Sequence, residues 1–273
     1  MQLSGLLPEL NKLWPTTSAE DWDRVGLVTG NNTQEVKRVL LTVDVTAEVV
    51  AEAIEGKFDL LLAHHPLLLK GINTVAEDTS KGALLSSLIR AEIALYSAHT
   101  NADVQKSGTS NVLSSLIGLT KVRPLVPNVD GTGIGVIGEL DQDMSLGQLA
   151  GKLNAVLPAT ASGVRVAGEY DRAVSKVALC AGAGDAYLQT ALDSGADVYI
   201  TSDLRHHPAQ EILEQAKARG IDFSLVDISH WAAEFVWLEQ AKKELMANIS
   251  GLEVVISEIR TDVFDFLMNV PRV

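Results

Sequence analysis

The strongest constraint on this chain is that it repeats itself. Residues 38–44 (RVLLTVD) read as a buried strand, 46–56 (TAEVVAEAIEG) as a helix closed by Gly56, and 58–63 (FDLLLA) as a second strand. A strand, a helix and a strand in that order form a βαβ unit, whose crossover makes the two strands parallel. The same grammar returns in residues 175–202 as SKVALCA, DAYLQTALDSG and ADVYITS, with Gly195 as the helix stop. Val39 aligns with Val177 and Asp59 with Asp197 at one ungapped offset of 138 residues (177 − 39). Self-similarity of this kind marks duplicated structural units. The expected fold class is therefore α/β, two similar α/β subdomains related by an internal βαβ repeat.

Residues 124–138 (PLVPNVDGTGIGVIG) are rich in Pro and Gly and suit a boundary or a turn-bounded strand. The expected division is 1–125 and 126–273. The strand GLEVVISEI near the C-terminus could pack back on the first domain. An amphipathic segment from Met1 to Pro15 reads as a first helix rather than a signal peptide, because it lacks a basic start and a long apolar run. SLGQLAGKLNAVL reads as a helix with Ser145 as its N-cap.

Composition narrows the function classes. A hydrophobic content of 47% over 273 residues can fill real cores. The formal net charge of −13 repels phosphate backbones and anionic membrane surfaces, so nucleic-acid binding is disfavoured. Cys180 is the only cysteine, which excludes an intrachain disulfide, a cysteine-based zinc knuckle and a two-cysteine redox motif. No apolar run reaches the roughly 18 residues of a membrane span. A reducing, cytoplasmic location is expected.

Three polar clusters stand at strand ends. His64 and His65 follow FDLLLA directly, at the carboxyl end of a parallel strand, where open α/β sheets bind ligands. Neighbouring residues on an extended strand face opposite ways, so both can serve one site only if the backbone turns, which Pro66 favours, or each can bind a different metal. The plainer reading is two polar residues hydrogen-bonding a strand end. IALYSAHTNAD brings His99, Thr100, Asn101 and Asp103 to another strand exit, where Asp103 could bridge two cations or merely shape a turn. In DISHWAAE, His230 and Glu234 are spaced i, i+4, which puts both on one helical face. Alone that spacing is common; beyond the short strand SLVD it joins the same sheet edge. Three imidazoles and two carboxylates exceed one tetrahedral zinc and suit two metals sharing carboxylates and water.

The strings AHHPLLLKG, HTNAD, TSDLRHH, ISHWAAE and the N-terminal WDRVGLVTG together resemble the NIF-three-like proteins, also called GTP cyclohydrolase 1 type 2 homologues. The resemblance runs along nearly the whole chain in order. It implies a two-domain α/β subunit, a homohexameric ring and a dinuclear metal centre whose ligands fall on His64, His65, Asp103, His230 and Glu234. On the same resemblance, His99 is expected behind the ligands or against substrate rather than on a metal. At 273 residues the chain resembles the short form, which lacks the inserted domain of longer members. Arg24 stands where the family commonly has Asn, and His206-His207-Pro208 where Tyr-His-Asp or His-His-Asp is commoner.

The expected function is a metal-dependent hydrolase holding two divalent ions (Zn, Fe, Mn, Co or Ni) and acting on a nucleotide or related small molecule, with His99 a candidate proton shuttle. The alternative is a non-catalytic metal-binding or adaptor protein working as a hexameric ring. His206 and His207 could add a third cation or contact substrate, a solvated helix start with Pro208 in its first turn being the simpler reading. Asp203 and Arg205 suit either a substrate contact or a salt bridge, and Trp22, Trp231 and Trp237 suit packing or ring stacking, packing being the simpler. Gly182 and Gly184 suit a tight turn, since their spacing is not that of a phosphate loop.

Overall fold

Leu60, Leu61, Leu62 and Ala63 are all fully buried, as expected of a parallel strand covered on both faces. They form one strand of a computed structural model that describes residues 1–268. In chain order the elements are α1 (Leu3–Leu13), β1 (Gly26–Thr29), β2 (Arg38–Thr42), α2 (Ala47–Glu55), β3 (Leu60–Ala63), α3 (Ser80–Arg90), β4 (Ala94–Ser97), α4 (Thr100–Asp103), α5 (Thr109–Leu116), β5 (Leu119–Pro127) and β6 (Gly133–Ser145). There follow α6 (Leu146–Val156), β7 (Val164–Ala167), β8 (Ala173–Ala183), α7 (Leu188–Asp193), β9 (Val198–Ser202), α8 (His206–Ala218), β10 (Ser224–Ile228), α9 (His230–Phe235), α10 (Trp237–Asn248) and β11 (Glu253–Ile256).

The chain folds as two units. The first holds Met1–Gln105 and Leu238–Thr261; the second holds Lys106–Trp237 and the segment from Asp262 onward. The first unit's sheet has the order β1-β4-β3-β2-β11, parallel except for β1. On it α2 buries Val49, Val50 and Ala53 against Leu40, Leu61 and Leu95. The Thr46 hydroxyl starts that helix by accepting from the Val49 N–H.

The second unit's sheet has the order β5-β6-β8-β9-β10-β7, with β8, β9 and β10 parallel. Alternate residues of β8 reach opposite cores, Val177 and Leu179 one, Ala178 and Cys180 the other. The Pro- and Gly-rich stretch is the β5–β6 hairpin within this unit, where Leu125, Val136 and Ile137 are buried. Composition reads turn chemistry, which a hairpin shares with a linker. Already at α5, Leu113 and Ile117 belong to the second unit's core. The SLGQLAGKLNAVL helix forms with a full capping box between Ser145 and Gln148.

The duplication is visible in the register. Val39 pairs with Leu60 in one unit and Val177 with Val198 in the other, both residues displaced by the same 138 (198 − 60). Asp59 Oδ2 accepts the backbone N–H groups of Lys37 and Arg38, each at 2.8 Å, and Asp197 Oδ2 accepts those of Ser175 and Lys176, each at 2.8 Å. A third parallel strand extends the match, Leu60 pairing with Ala94 and Val198 with Ser224. The helices differ. After Gly184 the chain makes a short 3-10 turn before α7, so this helix is shorter than its 185–195 pattern suggests.

Candidate metal centre

The first unit gathers imidazoles where β3 and β4 end. In a regular strand alternate residues donate to the same neighbour. Here consecutive ones do: His64 N–H to Thr42 O (2.9 Å) and His65 N–H to Val43 O (2.8 Å). The backbone therefore turns at these residues, and both rings reach one edge with centroids 5.2 Å apart. His99 caps α4, with its ring centroid 5.2 Å from that of His64 and 5.4 Å from that of His65. His64, His65 and His99 each offer a ring nitrogen, all within 4.8 Å of one another. One helical turn past His99, Asp103 brings Oδ1 to 3.7 Å from His64 Nε2.

The second unit makes a smaller set. Ser229 caps α9 by accepting from the Ala232 N–H, and its hydroxyl donates to the Asp262 carboxylate. The next residue is His230, whose Nε2 lies 3.0 Å from Glu234 Oε1, with Glu234 buried. Burial works against the His230 charge, but Glu234 and Asp203 outweigh it and raise the pKa to about 11.

Each of the four imidazoles has its Nδ1 fixed. Ala98 O lies 2.8 Å from His64 Nδ1, Asp44 Oδ1 2.7 Å from His65 Nδ1, Asp23 Oδ1 2.9 Å from His99 Nδ1 and Asp203 Oδ2 2.6 Å from His230 Nδ1. A carbonyl or carboxylate oxygen can only accept, so Nδ1 carries a proton in each ring and Nε2 is the atom left for a metal; His230, charged between Asp203 and Glu234, must first give up its Nε2 proton. Metal-ligating histidines are commonly oriented in this way. The carboxylates are themselves held. Thr261 Oγ1 donates to Asp44 Oδ2 at 2.6 Å, and Asp23 Oδ2 accepts the Thr100 N–H (3.0 Å) and hydroxyl (2.5 Å). Burial raises the Asp23 pKa, and the bonds from His99 and Thr100 more than reverse it, leaving the group well below the usual carboxylate range. Asp203 reaches His230 from a left-handed backbone, φ +57°, which costs energy for a residue with a Cβ.

Imidazole nitrogens and carboxylate oxygens of this kind suit divalent cations of the zinc, iron, manganese, cobalt and nickel group.

Gly182 adds a steric condition. It sits in β8 with φ +86°, and a Cβ built on it would lie 2.5 Å from Glu234 Oε1. Under the 138 offset this position matches Asp44 (182 − 44), so one unit uses a carboxylate where the other needs space. A second offset links the helices: His99 and Asp103 match His230 and Glu234 at 131 residues (230 − 99). Both pairs follow the third parallel strand of their unit.

The family model for Duf34/NIF3 (NGG1p interacting factor 3) matches residues 1–263. The chain belongs to the Duf34/NIF3 family. Among NIF3-family relatives, the GTP cyclohydrolase 1 type 2 homolog of Streptomyces coelicolor is 42% identical, the match covering 96% of this chain and 93% of that protein. A Mycobacterium tuberculosis protein of the same name is 30% identical, with 96% of each chain covered over 371 positions, so that relative carries an insertion this NIF3 chain lacks. Among solved structures, Staphylococcus aureus hypothetical protein SA1388 is 28% identical with TM-score 0.86, covering 98% of this chain and 99% of that one. Reduced HcgD from Methanocaldococcus jannaschii is 26% identical with TM-score 0.79, covering 95% and 98%.

Elsewhere in this NIF3-family chain, His206 and His207 are exposed at the start of α8. Arg205 pairs with Asp185 at 2.6 Å, while Asp203 turns to His230. Trp231 and Trp237 pack in the interior, but Trp22 does not: it is largely exposed, against the simpler expectation of packing. The roles of Asp23, Asp44 and Gly182 lay outside what motif spacing revealed. The repeated His-x-x-x-acid pattern at 99/103 and 230/234 was the available signal for pairing His99 with His230. No helix among the described residues is long and apolar enough to cross a membrane.

Proposed function

We propose that this chain is a metal-dependent hydrolase holding two divalent ions on His64, His65, Asp103, His230 and Glu234, and acting on a nucleotide or a related small molecule. The observation that supports it most is the fixing of four Nδ1 atoms, which leaves Nε2 of each ring as the atom turned to a metal, His230 after losing its proton. Five donors of both kinds suit two ions. When bound, the ions would supply Lewis acidity and lower the pKa of water. The chain's own residues then have separable tasks. Asp103 and Glu234 bring negative charge to the ions, and Ala98 O, Asp44 and Asp203 hold the imidazoles in the ligating tautomer. His99, gripped by Asp23, stands beside His64 and His65 and is the candidate proton carrier. The name of the relatives, GTP cyclohydrolase 1 type 2 homolog, points to a purine nucleotide and ring-opening hydrolysis. Homohexameric assembly belongs to the same reading, supported by the family resemblance.

The test is elemental analysis of untagged protein beside Asp103→Ala and the His64→Ala/His65→Ala double variant, with circular dichroism and native mass. About two ions per wild-type chain, lost from folded variants, is the expected result. A folded wild type that neither contains nor takes up ions would overturn the centre. Loaded protein that turns over no nucleotide, GTP first, would leave a metal-binding or adaptor role.

A further inference from the structure

Trp22 is unlike the other three tryptophans. Trp14 and Trp237 are 0% exposed and Trp231 7%, whereas Trp22 is 56% exposed. An indole on a surface loop is usually free to move, but this loop is clamped on both sides. Its neighbour Asp23 is buried and holds the His99 ring and Thr100. The Glu20 N–H donates to Thr100 Oγ1 at 3.0 Å, and the Arg24 guanidinium closes on the carbonyls of Asp21 (3.3 Å) and Asp23 (2.5 Å). The indole meets the His99 ring edge-on, with centroids 5.9 Å apart and planes at 78°. Because Asp23 both roots Trp22 and fixes His99, the indole keeps a set place beside the imidazole cluster.

A large apolar ring held in water next to a donor cluster forgoes burial, while its π-face suits a planar ring of matching width. Base–aromatic stacking needs nothing else from the protein and tolerates different bases, since every base has a π-face. We propose that Trp22 is a stacking platform for a purine-type heteroaromatic ring, placing the ligand so that its reacting part reaches the His64–His65–His99 cluster. This rests on the nucleotide-hydrolase reading above and adds a residue that selects the ring. The exposed Trp22 is the recognition element; Asp23 and Arg24 are positioning residues that keep the loop rigid.

Acrylamide quenching of tryptophan fluorescence tests the idea without relying on turnover. Wild-type protein loaded with metal should show a readily quenched component that Trp22→Phe lacks. GTP and guanosine should protect that component, while inorganic triphosphate, which has no ring, should not. Trp22→Ala should keep the wild-type ion content and bind GTP about tenfold more weakly, with Trp22→Phe recovering most of the loss. GTP that binds by calorimetry while leaving Trp22 fully quenchable would overturn the platform, as would equal GTP affinity in Trp22→Ala. The absence of a quenchable component in wild type would do so too, because the indole would then be covered in the assembly. Failure of any purine to bind a protein that still holds its ions would sink the platform alone, whereas a wild type without ions would sink the underlying metal reading.

Discussion

Gly182→Ala separates two costs that usually arrive together. At φ +86° an alanine pays for a left-handed backbone, about 1–2 kcal/mol. Its Cβ would also stand 2.5 Å from Glu234 Oε1 and 3.4 Å from His230 Nε2. Non-bonded atoms settle at about 3.5 Å or more, so the carboxylate must retreat by roughly 1 Å. Metal–ligand bonds tolerate only about 0.2 Å, so that retreat would remove Glu234 from the proposed ligand set. Gly220→Ala supplies the control: φ is +65°, and nothing lies within 4 Å of the added Cβ. Urea unfolding of the metal-free proteins should show both variants destabilised, Gly220→Ala by about 1–2 kcal/mol and Gly182→Ala by more. Ion content should fall only in Gly182→Ala. A Gly182→Ala protein that keeps the wild-type ions at wild-type affinity would refute the placement of Glu234 as a ligand packed against this glycine.

Further expectations follow from the groups behind the proposed ligands. Asp44→Asn, Asp23→Asn and Asp203→Asn each replace an obligate acceptor at a ring Nδ1, and chelator competition should show ion affinity falling about 10–100-fold for Asp44 and Asp203, with folding intact. An Asp23→Asn effect as large would make His99 a ligand rather than a proton carrier. In the metal-free protein His230 keeps its proton up to about pH 11, so its pairing contributes stability that is full below its ordinary pKa of 6.5 and is lost as pH rises toward 11. Ion uptake near neutral pH must expel that proton, so affinity should rise with pH. Calorimetry in buffers of different ionisation heat should find about one proton released through this group, and no release would contradict the pairing. Asp59→Ala and Asp197→Ala each remove two hydrogen bonds to exposed or half-buried backbone N–H groups and should destabilise their units similarly, by about 0.5–1.5 kcal/mol per bond. Marked inequality in urea titrations would weaken the equivalence of the two repeats.

Hydrophobic runs and glycine stops carried most of the fold, because the period of a buried strand and the length of a crossover helix are local properties. The ligand candidates were legible for a related reason: a polar residue directly after a buried parallel strand has few places to go except the sheet edge. The acceptors behind the imidazoles were not legible. Asp44 lies 21 residues from His65, Asp23 76 from His99 and Asp203 27 from His230, and a single carboxylate in a loop leaves no periodic trace. The demand on Gly182 comes from a side chain 52 residues later (234 − 182), which no local pattern can report. The hairpin at 124–138 shows the converse, a strong local signal for a turn that says nothing about which core its strands join.

The duplication also explains why the donors divide unevenly. Both units end their third parallel strand in a short helix bearing His-x-x-x-acid, and both hold that histidine by a carboxylate on Nδ1. The first unit adds two imidazoles after its second strand and an aspartate, Asp44, to orient one of them. At the matching positions the second unit has Ser202, Asp203 and Gly182. Asp203 has become the orienting carboxylate for His230, and Gly182 has cleared the space that Glu234 fills. Restoring the first unit's residues at these positions should therefore not create a second centre. Gly182→Asp would collide with Glu234, and Asp203→His would take the acceptor from His230, so the double variant should lose the second unit's donors rather than gain any. Retention of ions in that variant would mean that the second unit's helix is not a source of ligands at all.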